Sequence, residues 1–176
     1  AIETFNKSIS LKPNYADAYS NLGNALRNQG KLDQAIDIYK KGIILKPDYT
    51  EYYNNLGKAF QDQGNLDEAI EAYNKCISIK PNYSEAYNNL GVVFNKLKNY
   101  SKAEEALKKA IQLHPEFAEA YSNLGSVFTN QKQYSQAIKY FDQATRINPN
   151  NAEAYNNLGV AFNKLKNYLK AKTTLL

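Results

Sequence analysis

The sequence predicts an all-α fold built as an array of antiparallel helix pairs, and three observations carry that reading. The five prolines, Pro13, Pro47, Pro81, Pro115 and Pro149, stand 34 residues apart. A fixed period in the residue that most strongly breaks helices is the mark of a repeat. The dipeptide Leu-Gly keeps the same step, from Leu22-Gly23 through Leu56-Gly57, Leu90-Gly91 and Leu124-Gly125 to Leu158-Gly159. Between these markers the apolar residues recur at helical spacing, and no segment alternates as a strand would.

The chain divides into residues 1–15, read as the second helix of a partial repeat, then repeats at 16–49, 50–83, 84–117 and 118–151, and a partial repeat at 152–176. Together these form one domain, expected to be a segment of a longer chain. In the first full repeat Tyr19, Leu22, Gly23 and Leu26 fall at i, i+3, i+4 and i+7, one face of a first helix. Ala35, Tyr39, Gly42 and Ile43 make the facing stripe of a second. Gly23 and Ala35 are small where two helices must approach closely, and Ala1, Ala69, Ala103, Ala137 and Ala171 keep the alanine slot. Before four of the five first helices, Asn14 and Asp17, Asp48 and Glu51, Asn82 and Glu85, and Asn150 and Glu153 have capping-box spacing. Lys12, Lys46, Lys80 and His114 precede prolines, where positive charge suits a helix C-terminus. Turns between paired helices are expected near Gly30, Gly64, Lys98, Lys132 and Lys166.

On these residues the sequence resembles the tetratricopeptide family, a 34-residue helix–turn–helix repeat, over its whole length. The family's Trp slot holds Tyr19, Tyr53, Tyr87, Tyr121 and Tyr155, and its small residues and closing proline match. The resemblance implies a right-handed superhelical solenoid whose first helices line the concave side.

Composition removes several function classes. Net charge is +5, but the basic residues are nearly all Lys, with Arg only at Arg27 and Arg146. Arg is the usual bidentate reader of phosphates and bases, so no nucleic-acid partner is expected. No apolar run reaches the length of a membrane helix, and no membrane partner is expected. One Cys and one His cannot build a zinc site. No cofactor or metal is implied, and the expected location is cytoplasmic.

Candidates for catalysis read as structure. Cys76 sits in the small-residue slot of Gly42 and Ala110, and His114 in the slot of Lys46 and Lys80, with no partner base or nucleophile. Asp17, Glu51, Glu85, Glu119 and Glu153 form a column that capping explains. Tyr39, Tyr73, Tyr100, Tyr134 and Tyr168 occupy packing slots, while Tyr15, Tyr49, Tyr83 and Phe117 are expected to fill the seam between repeats. The segment is not expected to be an enzyme.

One column asks for another explanation. The residue before every Leu-Gly is asparagine: Asn21, Asn55, Asn89, Asn123 and Asn157. Asn is a mediocre helix former, so five in mid-helix carry a cost. A primary amide offers two donors and an acceptor, and a row of them could clasp the backbone of an extended peptide. The alternative is a bond to a neighbouring repeat. Around the row stand Asn24, Arg27, Lys58, Asn88, Asn95, Lys96 and Asn156, a polar stripe. Repeats three and five agree at 18 of 23 positions between 85–107 and 153–175, which recent duplication explains. The Asn positions are similar to those in the tetratricopeptide arm of the O-linked N-acetylglucosamine transferases. The family's carboxylate clamp for chaperone tails is matched only by Asn components such as Asn24 with Asn55. Glu85 or Glu119 stands where that clamp needs a cation and would repel a carboxylate.

The expected function is a protein-interaction scaffold that holds extended polypeptide in an Asn-lined groove. Two alternatives are the substrate-recognition arm of a multidomain glycosyltransferase and a structural array within a larger assembly, as in ciliary or transport machinery. The apolar residues at both ends, Ala1-Ile2, Phe5 and Thr173-Thr174-Leu175-Leu176, add an expectation of end-to-end self-association in the isolated segment.

Overall fold

The computed structural model describes residues 1–174, with side chains described as far as Asn167 and at Leu169. The repeat slots at Tyr168 and Ala171 and the Thr173-Thr174-Leu175-Leu176 segment therefore lie outside the described side chains. The described residues form ten helices and no strand. They are α1 (Ile2–Leu11), α2 (Ala16–Asn28), α3 (Leu32–Leu45), α4 (Thr50–Gln63), α5 (Leu66–Ile79), α6 (Ser84–Lys96), α7 (Tyr100–Leu113), α8 (Ala118–Asn130), α9 (Tyr134–Ile147) and α10 (Ala152–Thr174).

Two compact units divide at Asn89 and Leu90, within α6. In the first, α2 packs on α3, α3 on α4 and α4 on α5, with α1 against α2 and α2 beside α4. Its core holds Tyr19, Leu22, Leu26, Ala35, Ile36, Tyr39, Tyr52 and Leu56. In the second unit α8 packs on α7 and α9, and α10 on α9 and α8, around Leu107, Leu124, Val127, Phe128 and Phe141.

The Leu-Gly glycine is what lets paired helices close. A Cβ at Gly57 would lie 2.6 Å from the Tyr73 ring, and one at Gly125 would lie 2.8 Å from the Phe141 ring. Tyr39 fills the same place against Gly23, and Leu107 against Gly91. Each second helix thus sends one large side chain, 34 residues after the last, into the notch left by a missing side chain. Tyr39 and Tyr73 are fully buried there, as the repeat slots predict.

The turns fall where expected in four repeats. Gly30 and Gly64 have φ of 73° and 88°, and Lys98 and Lys132 have φ of 59° and 60°. The expected fifth turn is absent: α10 runs unbroken through Lys166. The hexapeptide Asn95–Tyr100, which makes the turn between α6 and α7, is identical to Asn163–Tyr168, which lies inside α10. It contains no Gly or Pro, so local propensity favours helix in both places. At Asn95–Tyr100 the packing of Leu107 against Gly91 outweighs the cost of Lys in the left-handed region. Gly159 has no atom within 4 Å of its missing Cβ, and propensity prevails there.

The capping-box expectation is also corrected. The residues at the caps of α2 and α4 are Tyr15 and Tyr49, which have no side-chain oxygen within reach of the first turn and make no cap bond. Asp17 instead accepts a 2.7 Å bond from the hydroxyl of Tyr49, at the end of the same repeat. Side-chain caps occur elsewhere: Asn99 accepts from the Lys102 N–H, and Asn151 from the Ala154 N–H.

Lys12, Lys46 and Lys80 do stand at helix C-caps. Each also lays its ammonium over the ring of the tyrosine three residues on, Tyr15, Tyr49 and Tyr83, at 4.8–5.1 Å from the ring centre. His114 tilts over Phe117 in the same register, 5.4 Å between ring centres. Two of the prolines are held by a second contact: the Tyr19 and Tyr53 hydroxyls donate to the Pro13 and Pro47 carbonyls at 2.9 Å. A tyrosine in the family's Trp slot so ties the helix to the turn before it. Of the seam residues, Tyr49 packs against the core and sets its ring edge-on to Tyr52 at 4.9 Å, whereas Tyr15 remains 40% exposed.

Candidate polypeptide-binding face

In the first unit the polar stripe is carried by α2, α4 and the start of α6. Asn21 is exposed on α2, and Asn55 and Asn89 are half-buried. The amides of the column do not simply face outward. Asn55 donates through Nδ2 to the Ser20 hydroxyl at 3.2 Å, and Asn89 donates to Asn54 Oδ1 at 3.0 Å. Both bonds span 35 positions, one repeat plus one residue. Arg27 and Asp62 obey the same offset, with Nε to Oδ2 at 3.6 Å. First helices lying side by side bring residue n against residue n+35, so a polar residue at one edge of a helix meets the residue one place further on in the next.

This register corrects the reading of one column of the polar stripe. The residue before each asparagine of the row is Ser20, Asn54, Asn88, Ser122 or Asn156. Ser20, Asn54 and Asn88 are buried, Asn54 to 2% and Asn88 to 1%. Asn88, expected on the open face, is therefore placed between helices; on an amphipathic helix one residue's rotation separates a buried edge from an exposed one. Asn55 and Asn89 each commit one N–H to the neighbouring helix. Among the described residues, no donor bonds to the Oδ1 of either.

The rest of the stripe in this unit is a linked polar surface. Asn24 Oδ1 accepts from the Tyr39 hydroxyl at 2.7 Å, and Gln61 Oε1 accepts from the Tyr73 hydroxyl at 3.2 Å. The two rings that fill the Gly23 and Gly57 notches thus reach through to the first-helix face. Burial raises the Tyr39 pKa to about 12, against a smaller downward pull from Arg27. Lys58 lies 4.0 Å from Glu85, so this Lys is turned toward the acidic column. Sequence reasoning named Asn24, Arg27 and Lys58 but missed the tyrosine hydroxyls behind them; the visible signal was Tyr, rather than the Leu107 or Phe141 of later repeats, in that slot.

The second unit is arranged differently. Asn95 accepts from Asn130 Nδ2 at 2.9 Å, again 35 positions apart, and Lys96 is exposed. Ser126 and Thr129 return their hydroxyls to the backbone of their own helix, at 3.1 and 3.0 Å. Asn123 and Asn157 are half-buried and Asn156 is exposed. Leu107 and Phe141 bring no hydroxyl to this face.

The residues examined for catalysis are placed as structure. Cys76 is fully buried, and burial pushes its thiol up to about 12, which keeps it protonated and unreactive. Among the described residues no group of three or more His, Cys, Asp or Glu side chains could hold a metal ion, and no helix is long and apolar enough to cross a membrane.

Comparison with known proteins agrees with the helix pairs. MamA has a structure matching with a TM-score of 0.73 at 29% identity, over 86% of this chain and 89% of its own. PilF of Pseudomonas aeruginosa matches with a TM-score of 0.79 at 28% identity, over 90% and 72%. YrrB, described as a tetratricopeptide protein with an unusual peptide-binding site, matches with a TM-score of 0.70 at 26% identity, over 95% and 86%. No curated protein matches the sequence. These neighbours are repeat proteins, and none of the three bears on the glycosyltransferase likeness. The model of the cilia- and flagella-associated protein 70 C-terminal domain, a tetratricopeptide domain, matches residues 7–176, and the chain belongs to that family.

Proposed function

We propose that the chain is a non-catalytic interaction scaffold that binds extended polypeptide along the Asn-bearing face of its first helices. The observation that carries the reading is the half-used amide. Asn55 and Asn89 spend one N–H on the neighbouring helix, which fixes the side chain, and leave Oδ1 open to a backbone N–H of a ligand. A side chain held before binding loses less entropy when a ligand arrives. A backbone acceptor also tolerates many ligand sequences. The peptide-binding site described for YrrB lends the reading support by likeness. A cytoplasmic location and self-association of copies belong to the same proposal.

The test uses linear peptides selected on the wild-type chain from a random library. Asn21→Ala with Asn55→Ala is expected to weaken every selected peptide about fivefold or more for each bond lost, whatever its sequence. Unchanged affinities would end this reading.

A second reading is favoured by the 35-residue register itself. Amides that join neighbouring helices suit a structural array, and the family's description places its namesake among cilia- and flagella-associated proteins. On this reading the same substitutions lower stability and leave binding untouched.

A further inference from the structure

Two side-chain amides of the first unit are held from behind by tyrosines. Tyr39 fills the Gly23 notch and donates its hydroxyl to Asn24 Oδ1 at 2.7 Å. Tyr73 fills the Gly57 notch and donates to Gln61 Oε1 at 3.2 Å. Both rings are fully buried, whereas Asn24 and Gln61 are half-buried. Filling the notch needs no hydroxyl, since Leu107 and Phe141 do the same packing at Gly91 and Gly125. Hydroxyl and amide occur together. Beside Leu107 and Phe141 the slot of Asn24 holds Val92 and Ser126, and Ser126 returns its hydroxyl to the backbone of its own helix. Beside Tyr73 that slot holds Lys58, and the hydroxyl reaches Gln61 three residues further along α4.

A primary amide has an acceptor end and a donor end, so fixing the acceptor aims the donor. With Asn24 Oδ1 and Gln61 Oε1 engaged, their NH2 groups are left for a ligand, and among the described residues no acceptor is bonded to either. Asn55 and Asn89 have the opposite polarity, each donating to the neighbouring helix and keeping Oδ1. One edge of an extended polypeptide carries both N–H and C=O groups, so acceptors alone satisfy half of it. We propose that the Tyr39 and Tyr73 hydroxyls are positioning groups that orient Asn24 and Gln61 as donors to the backbone carbonyls of a bound extended polypeptide. The inference rests on the polypeptide-binding reading above and adds contacts of the other polarity to it. Burial raises the pKa of both tyrosines, so each hydroxyl keeps its proton, and the orientation it imposes, through neutral pH.

Tyr39→Phe removes the hydroxyl and keeps the ring, a filler that Phe141 already provides at Gly125. Without ligand, nitrogen-15 relaxation of the side-chain NH2 groups is expected to show Asn24 restrained in the wild type and freed in Tyr39→Phe, with Gln61 unchanged. With ligand, a linear peptide selected on the wild-type chain from a random library is titrated alongside copies carrying a thioamide at one residue at a time. Sulfur is a weaker acceptor than the carbonyl oxygen, and the substitution leaves every N–H in place. The thioamide is expected to weaken binding to the wild type about threefold or more at two positions. Tyr39→Phe should remove the penalty at one of them and Tyr73→Phe at the other. Asn24→Asp keeps the acceptor for Tyr39 but removes the donor, and should erase the same penalty as Tyr39→Phe; it decides the matter if the Phe variant is misfolded by circular dichroism. Copies N-methylated at single residues report separately on the acceptors Asn55 and Asn89. Methylation penalties without thioamide penalties, or thioamide penalties that persist in all three variants, would overturn this inference and leave the polypeptide-binding reading standing. Indifference to both modifications, or a library that yields no binder, would overturn both.

Discussion

The ring of Tyr52 occupies the space into which a side chain at Gly42 would project. At the three later junctions between repeats these slots hold Cys76 with Ala86, Ala110 with Ala120, and Ala144 with Ala154. At the junction of the first two full repeats volume has therefore moved from one helix to its neighbour, α3 losing a side chain where α4 gains a ring. Tyr52 is fully buried, and its hydroxyl donates to the Ala16 carbonyl at 2.8 Å.

The pair should behave as one unit. Tyr52→Ala is expected to cost about 3–5 kcal/mol through the cavity it leaves. Gly42→Ala alone should cost about 1–3 kcal/mol by overpacking against the ring. The double variant recreates the Ala110 and Ala120 pairing and should be more stable than Tyr52→Ala. Urea unfolding of the four proteins checks the cycle, and additive losses would contradict the size exchange.

Two turns hold lysine where glycine is better suited. Lys98 and Lys132 sit at φ near 60°. Relief of the left-handed strain by Lys132→Gly, less the entropy glycine adds to the unfolded chain, should stabilise the protein by about 0.5–1 kcal/mol. A lower melting temperature would show that the Lys side chain earns its place by other contacts.

The amide row should register in stability. Asn89→Ala removes the donor to Asn54 Oδ1, an atom of a residue 2% exposed. Leaving that oxygen short of a partner should cost about 1–3 kcal/mol. Asn21 makes no comparable bond, and Asn21→Ala should fall within about 0.5 kcal/mol of wild type. Chemical denaturation of the two variants distinguishes them.

Alkaline pH should loosen the first unit. Burial raises the pKa of Tyr39 and Tyr52 from 10.0 to about 12, and that of Cys76 from 9.0 to about 12. The folded state holds these protons more tightly than the unfolded one, so stability is full below pH 9 and falls as pH rises toward 12. Tyrosinate absorbance should rise together with loss of helix signal. Titration of Tyr39 and Tyr52 near pH 10 in a fully helical protein would contradict their burial.

Much of this architecture is legible in the sequence because repetition multiplies weak signals. One Gly in a helix means little, but five at a fixed step, each with a large residue sixteen places on, specify a notch and its filler. The placement of Tyr39, Tyr73 and Cys76 follows from that. The capping of α2 and α4 was misread because Asn14 and Asp17 have the right separation but begin one residue too early, and Asp17 finds a better partner in Tyr49. Partners 35 residues apart were hidden for another reason: the extra residue comes from how neighbouring helices lie side by side, which a 34-residue period does not reveal. The Asn163–Tyr168 stretch was misjudged because its twin at Asn95–Tyr100 takes its turn from tertiary packing.

The central claim is that the amide row grips the backbone of a bound polypeptide through the open Oδ1 atoms of residues such as Asn55. Its most direct test is isothermal titration with a peptide selected on the wild-type chain and with copies N-methylated at one residue at a time. Methylation removes one backbone N–H and leaves the side chains alone. The account predicts that methylation at two or more positions weakens binding about fivefold or more each. It also predicts that Asn55→Ala abolishes the penalty at one of them. Affinities that follow the peptide's side chains and ignore methylation throughout would contradict it.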